Sequence, residues 1–425
     1  MSVPPGRHSH PLSTRLECRH ETFLYSYLRF QNPLMKYTLQ PTMLALGSLL
    51  LSSILAGHTF AEPVDVNSLL AKIHAVESKG VGHREALSAI QKLSKADGKQ
   101  IPAILAGMDS ADLLQTNWLR GAVESVAQQE LDAGRMLPIS KLEAFLADTK
   151  HAPRARRLAY ELISQVDKTA EGRLIPPLLN DPSLELRRDA VALVVADADS
   201  QVESNKENAA ASYRKALTSA RDVDQIDSVT KKLRELGEAV DLPSHFGFVM
   251  RWKLIAPFDN TDKKGFDVAY GPETDLDLTQ SYKGKEGQVQ WVEHTTKDEY
   301  GTVDLNEALA KHKGAIAYAY TEFIADSNQN VDLRLGCINA NKVWLNGKLL
   351  TANQVYHANT QIDQYIGKGL LRKGKNTILL KICQNEQEES WAQRWQFQLR
   401  VCNQYGTAIL SQDRPKPSTL SLKKN

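Results

Sequence analysis

Val343-Trp344-Leu345-Asn346-Gly347-Lys348 places an Asn-Gly pair between two apolar runs. Both central residues of a type I′ turn need positive φ, so this pair is the strongest short-range signal for a β-hairpin. Lys342–Leu345 and Lys348–Leu350 are therefore expected as antiparallel strands, with Leu345 opposite Lys348, Trp344 opposite Leu349 and Val343 opposite Leu350. That register puts Val343, Leu345 and Leu350 on one face and Trp344 with Leu349 on the other. Apolar surface on both faces suits a strand inside a sandwich.

Outward from the hairpin, short alternating runs continue in both directions. Strands are expected at Gly247–Ile255, Gln288–His294, Ala315–Phe323, Val331–Gly336, Asp363–Ile366, Asn376–Gln384 and Gln396–Asn403, with a short helix or loop at Asp304–Lys313. Five of the six tryptophans lie in this half, among Gly, Asn and Asp turn signals. Such spacing predicts an antiparallel β-sandwich over residues 245–412, followed by a disordered tail, 413–425.

Residues 62–240 have a different character, rich in Ala and Leu at helical spacing. An Arg-x-Ala element recurs at Arg84/Ala86, Arg120/Ala122, Arg157/Ala159 and Arg188/Ala190, spaced 36, 37 and 31 residues apart. Between Leu174 and Val191 an apolar segment runs to Asn180, Asp181-Pro182 turns the chain, and Ser183 can cap a second helix. Lys150–Ala159 repeats the pattern more faintly. Helices are also expected at Lys206–Ala220 and Val223–Leu236, the latter stopped by Gly237. Arg154, Arg156, Arg157, Arg187 and Arg188 form either a basic ridge or a set of local ion pairs.

These motifs carry two resemblances. The Asp-Pro turn and the arginine of the following helix resemble HEAT repeats across about 66–236, which implies an N-terminal α-solenoid of stacked helix pairs with a surface for a protein partner. The Leu333–Gly336 run, the Lys342–Lys348 hairpin and Leu371-Arg372-Lys373-Gly374-Lys375-Asn376 resemble a galactose-binding-like jelly roll. That fold is similar to the sugar-binding domain of β-galactosidase-type glycoside hydrolases. Trp344, Asn346, Gly347, Gly374 and Asn376 are the residues that define the likeness. In those hydrolases a catalytic barrel of roughly 250 residues follows; here about twenty residues remain after Asn403. The expected chain is thus multi-domain, α then β.

At the N-terminus, Met35-Lys36, the apolar run Met43–Leu55 and Thr59-Phe60-Ala61 form an export signal cleaved after Ala61, with residues 1–34 an over-extended start. The apolar run is too short to span a bilayer, and His58 stands where a lipoprotein needs its acylated Cys. A periplasmic or extracellular bacterial protein is expected, with no membrane span after cleavage. A formal charge of +2 over 425 residues gives no reason to expect nucleic acid. Beyond residue 61, Cys337, Cys383 and Cys402 are either buried thiols or include a Cys383–Cys402 bridge.

No phosphate-cradling, serine-hydrolase or zinc-protease motif occurs, and His294, His312 and His357 lack metal-ligand spacing. No cofactor is expected, although Asp275 and Asp277 are of the type that bind calcium. A pyranose offers an apolar face and hydroxyl edges, so exposed aromatics beside amides are the sites to seek. Trp391 and Trp395 beside the Gln384–Gln393 loop, and Tyr356-His357, fit that description, while Trp252, Trp291 and Trp344 read as core. The expected function is non-catalytic binding of a glycan or other extracellular ligand. The alternatives are a purely structural protein adaptor and a polysaccharide-active enzyme.

Overall fold

A computed structural model describes residues 64–415. The expected export signal and over-extended start lie outside the described residues. Those residues fall within a single compact unit, so the helical and β halves, expected as separate domains, pack against each other. Phe246 and Phe248, at the start of the β half, are buried in the same apolar cluster as the helices. No helix among the described residues is long and apolar enough to cross a membrane.

Local chemistry sets the helix ends. Asp112 and Gln115 form a reciprocal capping box that starts Leu113–Asp132. Ser183 accepts from Leu186 N and opens Leu184–Gln201, as its sequence context predicts. Gly237, at φ +83°, ends Val223–Glu235. Ahead of the Asp181-Pro182 turn the expected helix is broken: Ala170–Leu174 is α-helical, whereas Pro176–Leu178 is a 3₁₀ turn. Pro176 and Pro177 have no N–H to continue the helix.

The recurring arginines link alternate helices. Arg120 reaches Glu161 at 2.6 Å, Arg157 on that helix reaches Asp189, and Arg188 beside it reaches Asp224 at 2.8 Å. Arg156 and Arg187 turn inward instead. Arg156 is fully buried and makes a bidentate pair with Asp181, both bonds at 2.7 Å, while donating to Leu146 O. Arg187 closes the same turn by donating to Asp181 O and Asn180 O. Of Arg154, Arg156, Arg157, Arg187 and Arg188, three pair with carboxylates and Arg187 is taken by backbone carbonyls, so they form no basic ridge.

The β half has twelve strands: β1 Arg251–Asp259, β2 Tyr282–Lys283, β3 Gln288–Val289, β4 Val292–Thr295, β5 Val303–Asp304, β6 Ala315–Ala325, β7 Gln329–Cys337, β8 Ala340–Leu345, β9 Lys348–Asn353, β10 Tyr365–Leu371, β11 Gly374–Gln384 and β12 Gln396–Cys402. They form a six-stranded sheet, β4-β1-β6-β11-β8-β9, a four-stranded sheet, β10-β7-β12-β5, and a β2-β3 ribbon, all antiparallel. Trp252, Leu254, Val343, Leu345, Ile378 and Leu380 from the larger sheet meet Leu333, Leu335, Phe397, Leu399 and Val401 from the smaller in one core.

The β8–β9 hairpin has Asn346 at φ 51° and Gly347 at φ 77°, as a type I′ turn requires. Leu345 pairs with Lys348 and Trp344 with Leu349 as expected, but Val343 pairs with Thr351, because a bulge intervenes. Asn346 also joins this turn to the Gly374 turn. Its amide donates to Asn376 Oδ1 at 2.8 Å, and fully buried Asn376 donates in return to Phe323 O, Arg372 O and Gly374 O.

Two further expectations are corrected, and the two alternatives for the cysteines are decided. The first strand starts at Arg251 rather than Gly247, since Gly247–Val249 first pairs with the other sheet through a Phe248–Arg400 bridge and Val249 N to Leu399 O. Asp413 and Arg414, placed in the disordered tail, are held by Arg251 and by Phe248 O. Cys383 and Cys402 lie in different sheets and are free; with Cys337 they are buried thiols. Burial pushes Cys337 and Cys383 up to about 12 and Cys402 to about 11.

Where the halves meet, Arg400 is buried against Asp363 and donates to Phe246 O, and Arg221 of the helical half donates to Thr407. Burial, with Arg221 and Arg400 close by, pushes His245 down to about 4. An unfolded histidine titrates near ~6.5, so the native state binds fewer protons between those values and this contribution to stability, full above pH 6.5, is lost as pH falls toward 4. Melting temperatures across pH 7.5 to 4.5 are expected to fall more steeply for the native chain than for His245→Asn.

Candidate functional site

One end of the two-sheet core gathers unusual backbone and unpaired polar atoms. Asn260 follows β1 and is tied in place by Asn260 N donating to Gly314 O. Its side-chain amide donates to Gln384 O at 2.9 Å and to the Tyr356 hydroxyl at 3.1 Å. Its Oδ1 is buried without a partner. Burial pushes the Tyr356 hydroxyl up to about 12.

The next turn is built by Asp259 accepting from Thr261 N and Oγ1, after which Asp262 and Lys263 adopt φ of 57° and 62°. Non-glycine residues seldom occupy this region, and here two do so in succession. The turn brings Lys263 Nζ to 5.4 Å from the centre of the Tyr356 ring and Asp262 N to 2.6 Å from Glu386 Oε1.

His357 is a third such residue, at φ 57°. Asn385 Nδ2 donates to Gln387 Oε1, which turns Asn385 Oδ1 toward His357 Nε2 at 2.8 Å. This arrangement selects the Nε2–H tautomer and leaves Nδ1 as an acceptor, buried and unpartnered. The Trp391 ring stands edge-on to the His357 ring at 5.1 Å and is 56% exposed. Lys313 Nζ donates to Gln387 O and Ala392 O, stapling the loop that carries Trp391.

Of the four residues singled out from the sequence, three converge here: Tyr356, His357 and Trp391. Trp395 does not. It is fully buried, donates its indole N–H to Ile382 O at 3.3 Å and packs in the core shared by the sheets. Strand alternation at the entry to β12 turns it inward, away from Trp391 four residues earlier. Asn385 and Glu386 complete the cluster from within the Gln384–Gln393 loop already singled out, whereas Asn260 and Lys263 were not foreseen, their only sequence signal being the turn-rich Asp259–Asp262 stretch.

Trp252 is core, as expected, whereas Trp291 and Trp344 are only partly buried, at the rim of the cluster on the outer face of the larger sheet. Asp275 and Asp277 meet through their backbone carbonyls, which both accept from the Tyr282 hydroxyl, at 2.8 and 2.9 Å. The Asp277 carboxylate is taken by Thr279 Oγ1 and N, which hold it below the usual carboxylate range, and Asp275 engages Tyr282 and Gln280 through its backbone carbonyl. Among the described residues, no group of three or more His, Cys, Asp or Glu is arranged to hold a metal.

No family model matches this chain, and no curated protein does so significantly. Among solved structures it is weakly similar to an anti-sigma factor domain-containing protein from Clostridium clariflavum, with TM-score 0.23, 11% identity, and 40% of this chain covering 50% of that one. A β-glucosidase from Kluyveromyces marxianus in complex with glucose gives TM-score 0.23 and 10% identity over 68% of this chain and 36% of that one. The β-glucuronidase of Ruminococcus gnavus gives 0.21 and 14% over 37% and 28%. The chain spans half or less of the length of these structures, and likenesses this weak carry no argument about its activity.

Proposed function

We propose that this is an exported, non-catalytic binding protein, in which a HEAT-like helical array supports a jelly-roll sandwich that binds a glycan. The single observation that carries the reading is the cluster at Asn260, Tyr356, His357 and Trp391. With the adjoining Asp262-Lys263 turn it combines three non-glycine residues at positive φ, two acceptors without partners and a half-exposed indole. Backbone strain persists only where the surroundings enforce it and concentrates at sites of function. Asn260 Oδ1 and His357 Nδ1 are acceptors that hydroxyl donors would satisfy, and the Trp391 ring offers a flat apolar partner to a pyranose face.

Binding is favoured over hydrolysis because two carboxylates of the cluster, Glu386 and Asp259, are already engaged. Glu386 accepts from Asp262 N, and Asp259 accepts from Thr261 and lies 3.6 Å from Lys285 Nζ. The helical array is assigned a protein partner. An adaptor without any sugar ligand is the second reading, favoured by Leu113 and Leu114, which are exposed on the first turn of their helix.

Affinity electrophoresis of the full chain in gels containing neutral polysaccharides tests the first reading. At least one polymer is expected to retard the protein, and Trp391→Ala is expected to weaken retardation at least tenfold with its melting temperature unchanged. Absence of retardation across the panel would leave the adaptor reading.

A further inference from the structure

A second feature lies away from the Trp391 cluster, where the edges of the two sheets adjoin. β9 ends the larger sheet and β10 ends the smaller. Gly367 and Gly369 allow them to close: a Cβ on Gly369 would lie 2.6 Å from Leu345 Cδ2, and one on Gly367 would lie 2.9 Å from Leu350 Cβ. With glycine on the inward side of β10, its outward side carries Ile366, Lys368 and Leu370, and Arg372 follows in the same alternation. The β8–β9 turn contributes Lys348, and the Asn403–Tyr405 turn forms the opposite wall, enclosing a groove of about 800 Å³.

The charge in this groove is one-sided. Lys348, Lys368 and Arg372 line it and are all exposed, and none is ion-paired among the described residues, whereas neighbouring Lys375 pairs with Glu322 at 2.6 Å. Asp332 is the one carboxylate in the lining, and it is occupied by Arg334 at 2.9 Å. Between Lys368 and Arg372 stands Leu370, 55% exposed, and Ile366, 45% exposed, continues the alternation beyond Lys368. Lys368 and Arg372 are four residues apart, about 13 Å along extended chain, too far to share one small anion.

We infer that this groove binds an anionic polysaccharide strand, its carboxylate or sulfate groups meeting Lys348, Lys368 and Arg372 and its ring faces lying on Leu370 and Tyr405. The alternation of cation and apolar group favours a sugar polymer over nucleic acid, which depends on dense phosphate neutralisation. The inference rests on the proposed function only for its ligand class, because no residue is shared with the Trp391 cluster.

The test is affinity electrophoresis of the full chain in gels containing polygalacturonate, dextran sulfate, neutral dextran or single-stranded DNA. Retardation is expected in at least one of the first two, with the stronger identifying carboxylate or sulfate, and it should weaken in 0.5 M NaCl. Lys368→Glu/Arg372→Glu should raise the apparent dissociation constant at least tenfold, and Lys348→Glu alone should raise it severalfold. Trp391→Ala, and a Lys72→Glu/Lys215→Glu variant of identical net charge, should bind as the native chain does. The inference is overturned if neither anionic polymer retards the protein, if the control charge reversal weakens binding equally, or if DNA binds more tightly than either polysaccharide. It is also overturned if the groove variants bind normally but self-associate in size-exclusion chromatography, since edge cations would then serve only to block strand pairing.

Discussion

Arg156→Ala is expected to lose about 3–5 kcal/mol of unfolding free energy in urea denaturation. The guanidinium is fully buried and meets both oxygens of Asp181, a carboxylate that also accepts from Ser183 N at the start of the next helix. Truncation leaves a buried carboxylate without its counter-charge, together with a cavity and an unpaired Leu146 carbonyl. Asp181→Ala should be comparably damaging, because it strands the buried guanidinium. Arg188→Ala, by contrast, removes an exposed pair with Asp224 and is expected to cost less than about 1 kcal/mol. Equal losses at Arg156 and Arg188 would contradict the assignment of one as an internal tie and the other as a surface pair.

Lys381→Met is the second expected large loss, again about 3–5 kcal/mol. Lys381 projects from β11 on the outer face of the larger sheet and is fully buried. Its ammonium donates to Phe266 O at 3.0 Å, Val268 O at 2.7 Å and Glu273 Oε1 at 2.8 Å, using all three of its protons. Glu273 also accepts from the Tyr318 hydroxyl, whose own ionisation is pushed far up by burial. The lysine thereby pins the segment between β1 and β4 onto the sheet. Amides at residues 266–275 should lose hydrogen-exchange protection in Lys381→Met before the sheet itself opens. Lys375→Met, which breaks only the exposed pair with Glu322, should change stability by less than about 1 kcal/mol.

What could be read from the sequence was what depends on a few neighbouring residues. Asn346-Gly347 specifies its turn because two positive φ values are needed there, and Gly374 with Asn376 does the same for the turn that receives Asn346. Ser183 caps its helix for a reason contained within four residues. The early β segment failed because Gly247, at φ 82°, caps the helix Leu242–Phe246, and Phe248 then bridges to Arg400 of the opposite sheet, more than 150 residues away. Trp395 failed for a similar reason. Proximity to a polar loop does not fix orientation, and the register of β12 turned the indole into the core. The candidate site was half legible: Tyr356, His357 and Trp391 are conspicuous aromatics, whereas Asn260 acquires meaning only when β1 ends beside Gln384.

The arginine spacing shows how a weak repeat signal can have a concrete cause. Arg120, Arg157 and Arg188 recur because each reaches a carboxylate two helices further along the chain, so the period is that of a helix pair. Each such pair contributes little alone. Together they set the register between helices whose small apolar faces, Ala122, Ala159 and Ala190, are buried at the same interval.

The most direct test of the account is to assay one set of incubations for both retention and turnover. The full chain and Trp391→Ala are held with the neutral polysaccharides that retard the native protein, and reducing ends are counted alongside binding. The account predicts saturable, reversible binding that is lost in Trp391→Ala, with reducing ends no higher than in protein-free controls. Release of reducing sugar that is abolished by Glu386→Gln, with binding retained, would contradict it.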